Sequence, residues 1–413
     1  MMFSFVEVDI TPIKSTPLAG FAKRSSNDLK FGSERLFLRV IRLCSKDKTL
    51  YFITVDTLYI PSQLADFIVT NLRSIYNVES SDIIFNASHT HSAPNIIGGV
   101  FGPLDSHYLE YVKKKIISEL PKLKLEKSCT CSIAVSDLPI GLIVNRRKRL
   151  NFFWSRVLKR KIVMQPNFKK SISVPLYVFR INTNQGEQHI IYSMSCHPVF
   201  ANTRYTSADY PGIVNELVKK SGYTSCSFMQ GFCGDLKAST LVSKNIRLAG
   251  IKDFFKKMLF GEAFKVCEPN DMYKFSKRIH RQIIENIELS ENLLPDTVDT
   301  VLFETSLQSI CGKVDKCFKV KIISINKTIV LISIPAEVSF SFYEHLIEEF
   351  PKVNIVPLGY SEGMIGYIPD EYDFELGGYE VNCFRNYSWP SPLCPESIAK
   401  FKVGLISEIS KVV

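Results

Sequence analysis

No apolar run in this 413-residue chain reaches the length of a membrane span, so no membrane-crossing helix is expected. The first ten residues place Glu7 and Asp9 where a secretory leader would carry an uninterrupted apolar core. The expected location is therefore the cytoplasm. Eleven cysteines are present, an odd number, but they lack zinc-ribbon spacing. Cys129-Thr130-Cys131 is too close, and no second pair completes it. The thiols read as reduced, small apolar residues. Linkers, low-complexity segments and internal repeats are missing too, so residues 1–413 read as one domain. What is present is a globular composition, 46% hydrophobic and 22% charged. The formal net charge of +10 points to an anionic partner or substrate.

Short apolar runs alternate with helical periods along the chain. Residues 36–44 and 50–55 read as neighbouring strands, the second closed by Asp56. Asp56 is expected either to cap or turn the chain, or to support a metal ligand. Residues 62–76 repeat apolar side chains at Leu64, Phe67, Ile68, Leu72 and Ile75, a helical period with Ser62 as N-cap. Residues 83–87 form the next strand. Further strands are expected at 176–182, 188–194, 227–235, 320–325, 328–334 and 354–358. Helices are expected at 107–120, 213–220, 254–293, 340–350 and 395–412. The fold class is α/β, with mixed β-sheets, flanking helices, and a site at strand ends and adjoining loops.

The strand Ile83-Ile84-Phe85-Asn86-Ala87 switches abruptly to Ser88-His89-Thr90-His91-Ser92-Ala93-Pro94. Residues two apart on an extended chain share a side, so His89 and His91 are expected to face one point. Such a pair starts a zinc site that needs further N or O ligands. Alone it is more often a surface feature. Two other strands repeat the same grammar. One runs into Ser195-Cys196-His197-Pro198 and another ends at Pro335-Ala336-Glu337. Gly231 and Gly234, in Gln230-Gly231-Phe232-Cys233-Gly234-Asp235, would let backbone N–H groups approach an oxyanion. From Arg146 to Lys170 ten Lys or Arg are interleaved with Phe152, Phe153, Trp154 and Phe168. This stretch reads as a solvated, mobile insertion over about 147–173, or as a basic lid for an anionic substrate or a membrane surface. No recognition module accompanies it, so no nucleic-acid partner is expected.

Taken in order, several runs resemble the catalytic domain of neutral/alkaline non-lysosomal ceramidases, a family of zinc-dependent amidohydrolases. They are Val8-Asp9-Ile10-Thr11-Pro12, Pro17-Leu18-Ala19-Gly20-Phe21, Ala87 to Pro94, Asn145-Arg146-Arg147, Cys196-His197-Pro198, Ala208-Asp209-Tyr210-Pro211-Gly212, Gln230 to Asp235, Pro335-Ala336-Glu337, Gly366-Tyr367-Ile368-Pro369 and Gly378-Tyr379-Glu380. Together they cover nearly the whole chain. The resemblance implies one Zn2+ held by His89, His197, Glu337 and Tyr367. It makes His91 a general acid/base or oxyanion donor, puts Arg146 near the substrate carbonyl, and lines the pocket with Tyr379, while Gly234 at the glycine turn is the expected backbone contact to substrate. Asp209 and Asp235 would orient ligands. Two departures stand out. Lys237 occupies the place of a family Ser implicated in catalysis, and the family's immunoglobulin-like C-terminal domain has no counterpart before Val413.

The function expected is zinc-dependent hydrolysis of an amide by a deacylase or deacetylase. The substrate would be small, polar or anionic and N-acylated, such as an acetylated amino sugar, a nucleotide-linked sugar or a polar N-acyl lipid, bound in part by Lys237. Ceramide itself, a metal-dependent esterase activity and a non-catalytic scaffold are the alternatives. A scaffold would need neither His91 nor Arg146. Oligomeric state is not legible.

Overall fold

The computed structural model describes residues 1–21, 34–46, 48–202, 204–243, 255, 259, 261–265, 267–293, 297–312 and 314–413. The expected helix start at Phe254 lies outside them.

Strands follow the apolar runs. β1 (Met2–Asp9), β2 (Phe37–Cys44) and β3 (Thr49–Val55) form an antiparallel meander. α1 (Ser62–Tyr76) returns the chain to β4 (Ile83–Ala87), parallel to β3. α2 (Ser106–Glu119) is capped by the Asp105 carboxylate, which accepts from the Tyr108 N–H. β5 (Lys127–Asp137) follows, then β6 (Ile143–Arg149), the short α3 (Phe152–Val157) and β7 (Ile162–Asn167). β8 (Pro175–Thr183) and β9 (Gln188–Met194) are an antiparallel hairpin. α4 (Asp209–Lys220) leads to β10 (Ser225–Gln230), parallel to β9. β11 (Leu236–Ala238) joins β6, and β12 (Val242–Ser243) pairs with β13 (Ala263–Phe264). After the helix Pro269–Glu288, β14 (Glu291–Leu293) adds to β5. β15 (Val298–Gln308), β16 (Asp315–Ile325) and β17 (Ile329–Ser333) form a second meander. β18 (Glu337–Val338) and the helix Phe340–Glu349 lead to β19 (Asn354–Leu358), parallel to β17. β20 (Tyr367–Ile368) pairs with β18, and the helix Pro395–Ser410 completes the fold.

The main sheet has the order β10-β9-β8-β5-β1-β2-β3-β4, and the second β15-β16-β17-β19. Period-2 alternation explains how they stack. On β3 and β4, Tyr51, Ile53, Val55 and Phe85 face a core shared with Leu64, Ile68 and Leu72 of α1. The intervening Leu50, Phe52 and Ile84 face Ile323, Leu331 and Val356 of the second sheet. On that sheet Val330 and Ile332 face away, toward Leu346, Phe401 and Leu405 of the last two long helices. The result is four layers, helices on sheet on sheet on helices. Strands buried on both faces must be apolar at every position, which is why Ile83-Ile84-Phe85 and Ile329-Val330-Leu331-Ile332 do not alternate with polar residues.

Each parallel pair requires a crossover, and α1, α4 and the helix Phe340–Glu349 supply them. The carboxyl ends of β4, β10 and β19 meet at one place. The Asn86 carboxamide donates to the carbonyls of Gln230 (3.1 Å) and Gly359 (2.8 Å) and accepts from the Gln230 N–H (2.7 Å). One side chain thus stands in for a missing strand pair, and it holds the two edges of the main sheet together.

Four expectations are corrected. Ser62 lies inside α1, whose cap residue Pro61 makes no side-chain bond, so α1 is held by its packed apolar face. The helix expected over 254–293 is interrupted: Phe255 and Leu259 are helical, but Ala263–Phe264 form β13, and a new helix starts at Pro269 with a Glu268–Asp271 capping box and runs to Glu288. The basic stretch is an ordered β6–α3–β7 segment rather than a loose insertion. Asp56 supports no metal ligand: it accepts from the Phe37 N–H (2.9 Å) and from Arg39 (3.3 Å), whose Nε donates to Glu7 (2.8 Å). Among the described residues, no helix is long and apolar enough to cross a membrane.

Arg39 is buried between two carboxylates, so Arg39→Ala should cost about 3–5 kcal/mol in denaturant unfolding. Removing the exposed Lys411–Glu408 pair should cost less than about 1 kcal/mol. Equal costs would refute the buried-pair account. No disulfide joins any of the eleven cysteines, all of which are among the described residues. Thiol titration of unfolded, unreduced protein should therefore count eleven.

Candidate metal centre

β4 ends at Ala87, and two residues on His89 takes a left-handed backbone, φ 62°. His89 and His91 therefore do not converge by strand alternation, as the sequence suggested. The left-handed turn brings them together instead. For a residue with a Cβ this conformation costs on the order of 1–3 kcal/mol. Asp209 (φ 57°) and Tyr360 (φ 58°) share it. The Tyr360 carbonyl accepts from the Ala87 N–H (3.0 Å), which pins one strained loop to the strand before the other.

Three imidazoles meet at this point. His89 Nε2 lies 3.1 Å from His197 Nε2 and 3.3 Å from His91 Nε2. On the far side of each ring, Nδ1 faces a backbone carbonyl: Leu58 for His89 (3.0 Å), Gly20 for His91 (3.1 Å) and Cys233 for His197 (3.1 Å). A carbonyl only accepts, so each Nδ1 carries the proton. In the neutral rings the Nε2 lone pairs then point at one another. Lone pairs this close repel unless a cation lies between them, so the tautomers fit a metal. Burial, reinforced by Arg146 and His89, holds the His197 imidazolium well below its usual range. Burial and then His89 do the same to His91. Gly20 has to be glycine: its φ is 106°, and a Cβ there would stand 2.7 Å from the His91 side chain whose Nδ1 it accepts from.

Glu337 closes the cluster. Its Oε2 lies 3.5 Å from His89 Nε2 and 3.8 Å from His197 Nε2. Its Oε1 accepts from the hydroxyls of Tyr59 and Tyr387, the latter at 2.6 Å. Burial alone would raise this carboxyl, but His89, His197 and the Tyr367 hydroxyl outweigh it and keep it well below the carboxylate range. Two groups of ligand atoms thus share His89 and His197. His91 completes one, with all three nitrogens within 4.8 Å, and Glu337 completes the other.

Arg146 reaches the same place through a bulge. The β6–β7 register slips between Asn145 and Arg147, so two consecutive arginines reach one partner instead of opposite faces. Arg146 Nε donates to Glu380 Oε1 (2.8 Å) and Arg147 Nη1 to Glu380 Oε2 (2.6 Å). Arg146 also donates to the Tyr367 hydroxyl (3.0 Å) and lies 5.6 Å from the Tyr379 ring. Tyr379 is 44% exposed and forms the outer wall.

The remaining candidates act at one remove. The Asp235 carboxylate accepts from Asn145 Nδ2 (2.5 Å) and the Phe340 N–H (2.8 Å), and its carbonyl accepts from the Arg146 N–H (2.8 Å). It ties the arginine strand to the segment after Glu337 without touching a ligand ring. Asp209 accepts from the Ala201 and Tyr210 N–H groups (both 2.7 Å), fixing the loop after His197. Its burial pushes the carboxyl up to about 7. Gly234 does not offer a free N–H, because it donates to Val338 O (2.9 Å). A Cβ there would stand 2.9 Å from that same carbonyl, so this glycine serves close backbone packing. The Gly231 N–H is likewise spent on Met194 O (3.0 Å). Lys237 stands opposite Val144 at the edge of the arginine strand.

Sequence reasoning missed Tyr59, Tyr387 and the three carbonyls. It quoted Glu380 within a motif but gave it no role. For Glu380 a signal existed, since adjacent arginines at a buried strand end need a carboxylate. For the carbonyls none did.

No protein-family model and no curated protein matches the sequence. Solved structures match in fold. The neutral ceramidase of Pseudomonas aeruginosa superposes with a TM-score of 0.69 at 12% identity, over 99% of this chain and 74% of that one. A structure of ceramidase complexed with C2 gives a TM-score of 0.71 at 12% identity, with the same coverage. This chain has the mixed α/β fold of the ceramidase catalytic domain.

Proposed function

We propose that this protein is a zinc-dependent amidohydrolase that cleaves an N-acyl bond with water. The observation that carries the reading is the set of three imidazoles, each with Nδ1–H on a carbonyl and Nε2 turned inward, beside the Glu337 carboxylate. His89, His197 and Glu337 would hold the ion, with the Tyr367 phenol oxygen as a further donor. Bound there, zinc supplies the acidity that turns water into a nucleophile at neutral pH and polarises a carbonyl.

His91 differs from the other two rings in being only partly buried. It is the proton carrier of this reading. Its Nε2 takes a proton from the attacking water and returns it to the departing amine nitrogen, leaving a carboxylic acid and an amine, and transfer of the remaining acid proton yields carboxylate and ammonium. Burial keeps the ring neutral and able to accept. The Arg146 guanidinium stabilises the negative charge that develops on the carbonyl oxygen. Glu380 and Tyr367 fix that guanidinium before substrate arrives, so no reorganisation is needed during the reaction. The shared fold with ceramidases supports an amide as the bond cleaved.

The protein should carry about one zinc per chain. His89→Ala, His197→Ala and Glu337→Ala should lose it. His91→Ala should keep it while kcat falls by about 10²–10⁴. Loss of metal in His91→Ala with retention in Glu337→Ala would replace the carboxylate by the third imidazole in the ligand set. Arg146→Ala should keep the metal and lower kcat by about 10²–10³. Wild-type rates in that variant would remove Arg146 from the chemistry.

A further inference from the structure

Around the metal centre most charges are matched. Glu380 answers Arg146 and Arg147, and Asp373 adds to Arg147 at 3.0 Å. Lys237 is the exception. It sits mid-way along β11, opposite Val144, on the strand beside Arg146. Among the described residues no carboxylate and no hydrogen-bond acceptor pairs with its ammonium. Its contact is the Phe264 ring, 4.9 Å away. Its charge is felt at Arg146 and at His91. A cation drawn out of water without a counter-ion is costly, and that cost is recovered when an anion arrives. The strand beside Lys237, β6, carries four of the ten Lys and Arg between Arg146 and Lys170, and the other six follow in α3 and the loops flanking β7, so their field concentrates anions at this edge.

We infer that Lys237 is the seat for an acidic oxygen group carried by the substrate, so that the scissile amide belongs to an N-acylated carboxylate or phosphate rather than to a neutral amide. The inference rests on the amidohydrolase reading for its substrate, but not for its binding. A lysine here gives a point charge with three rotatable donors, suited to either oxyanion. Selection between an acidic amide and its neutral twin follows from one charge-assisted hydrogen bond, about tenfold or more.

The test uses two matched pairs on the zinc-loaded protein. N-dodecanoylglycine is set against N-dodecanoylethanolamine, and N-acetylglucosamine 6-phosphate against N-acetylglucosamine. Kd and kcat/KM are measured for each member. At least one acidic member should be preferred by about tenfold or more, and the pair that shows it identifies the oxyanion. Lys237→Met should erase the preference and Lys237→Arg restore much of it, with zinc content and cooperative unfolding unchanged in both. The preference ratio should also fall as pH rises through about 8, to which burial and then Arg146 push the ammonium down. Cys196 and His91 lie within its field, but burial holds the Cys196 thiol well above and the His91 imidazolium well below their usual ranges, so neither changes charge across that window. Tight acidic binding without turnover would sustain the seat and sink the amidohydrolase reading. Turnover without acidic preference, or a preference that survives in Lys237→Met, would overturn the seat and leave that reading standing.

Discussion

Everything at the candidate centre depends on three N–H···O=C bonds. They decide which nitrogen of each ring is bare, and so which way three lone pairs point. The carbonyls come from Leu58 beyond β3, Gly20 in the first loop and Cys233 beyond β10. Three distant segments must be in place before the rings have a tautomer. The centre is therefore a property of the assembled sheet, and no piece of the chain carries it alone.

That dependence explains where the strain sits. Strands β4, β10 and β19 arrive side by side, and their connections must turn at once to let side chains point inward. The left-handed His89 and Tyr360 are the turns after β4 and β19, and the left-handed Asp209 turns the chain into α4 on the connection from β9 to β10. Their cost is met by bonds that run between loops, such as Ala87 N–H to Tyr360 O, and by Asn86 bracing two strand ends. A rigid four-layer core behind the loops supplies the stability that the loops spend.

Electrostatics separates a matched interior from an unmatched edge. Glu337 is held by two tyrosine hydroxyls on one oxygen and faces imidazoles with the other. Glu380 binds two guanidiniums with its two oxygens. These groups are pre-set. Lys237 is not, and β6 beside it continues into Arg146, Arg147, Lys148 and Arg149, so the field changes sign character from the centre outward.

The sequence by itself determined much of the framework. Apolar runs and helical periods placed α1, β4, β9, β17, β19 and the last helix within a few residues, because burial on a fixed period leaves a readable pattern. The recurring strand-then-His or strand-then-Glu grammar brought out His89, His197 and Glu337, because in parallel sheets ligands gather at strand carboxyl ends. The tertiary structure alone decided the rest. A carbonyl acceptor looks the same in every residue, so Leu58, Gly20 and Cys233 left no trace in composition. The convergence of His89 and His91 needed a backbone turn that strand alternation does not foretell. The order of the basic stretch came from pairing of β6 with β7, on a β6 that β11, about ninety residues away, fixes at Ile143–Asn145, set by register rather than by local preference.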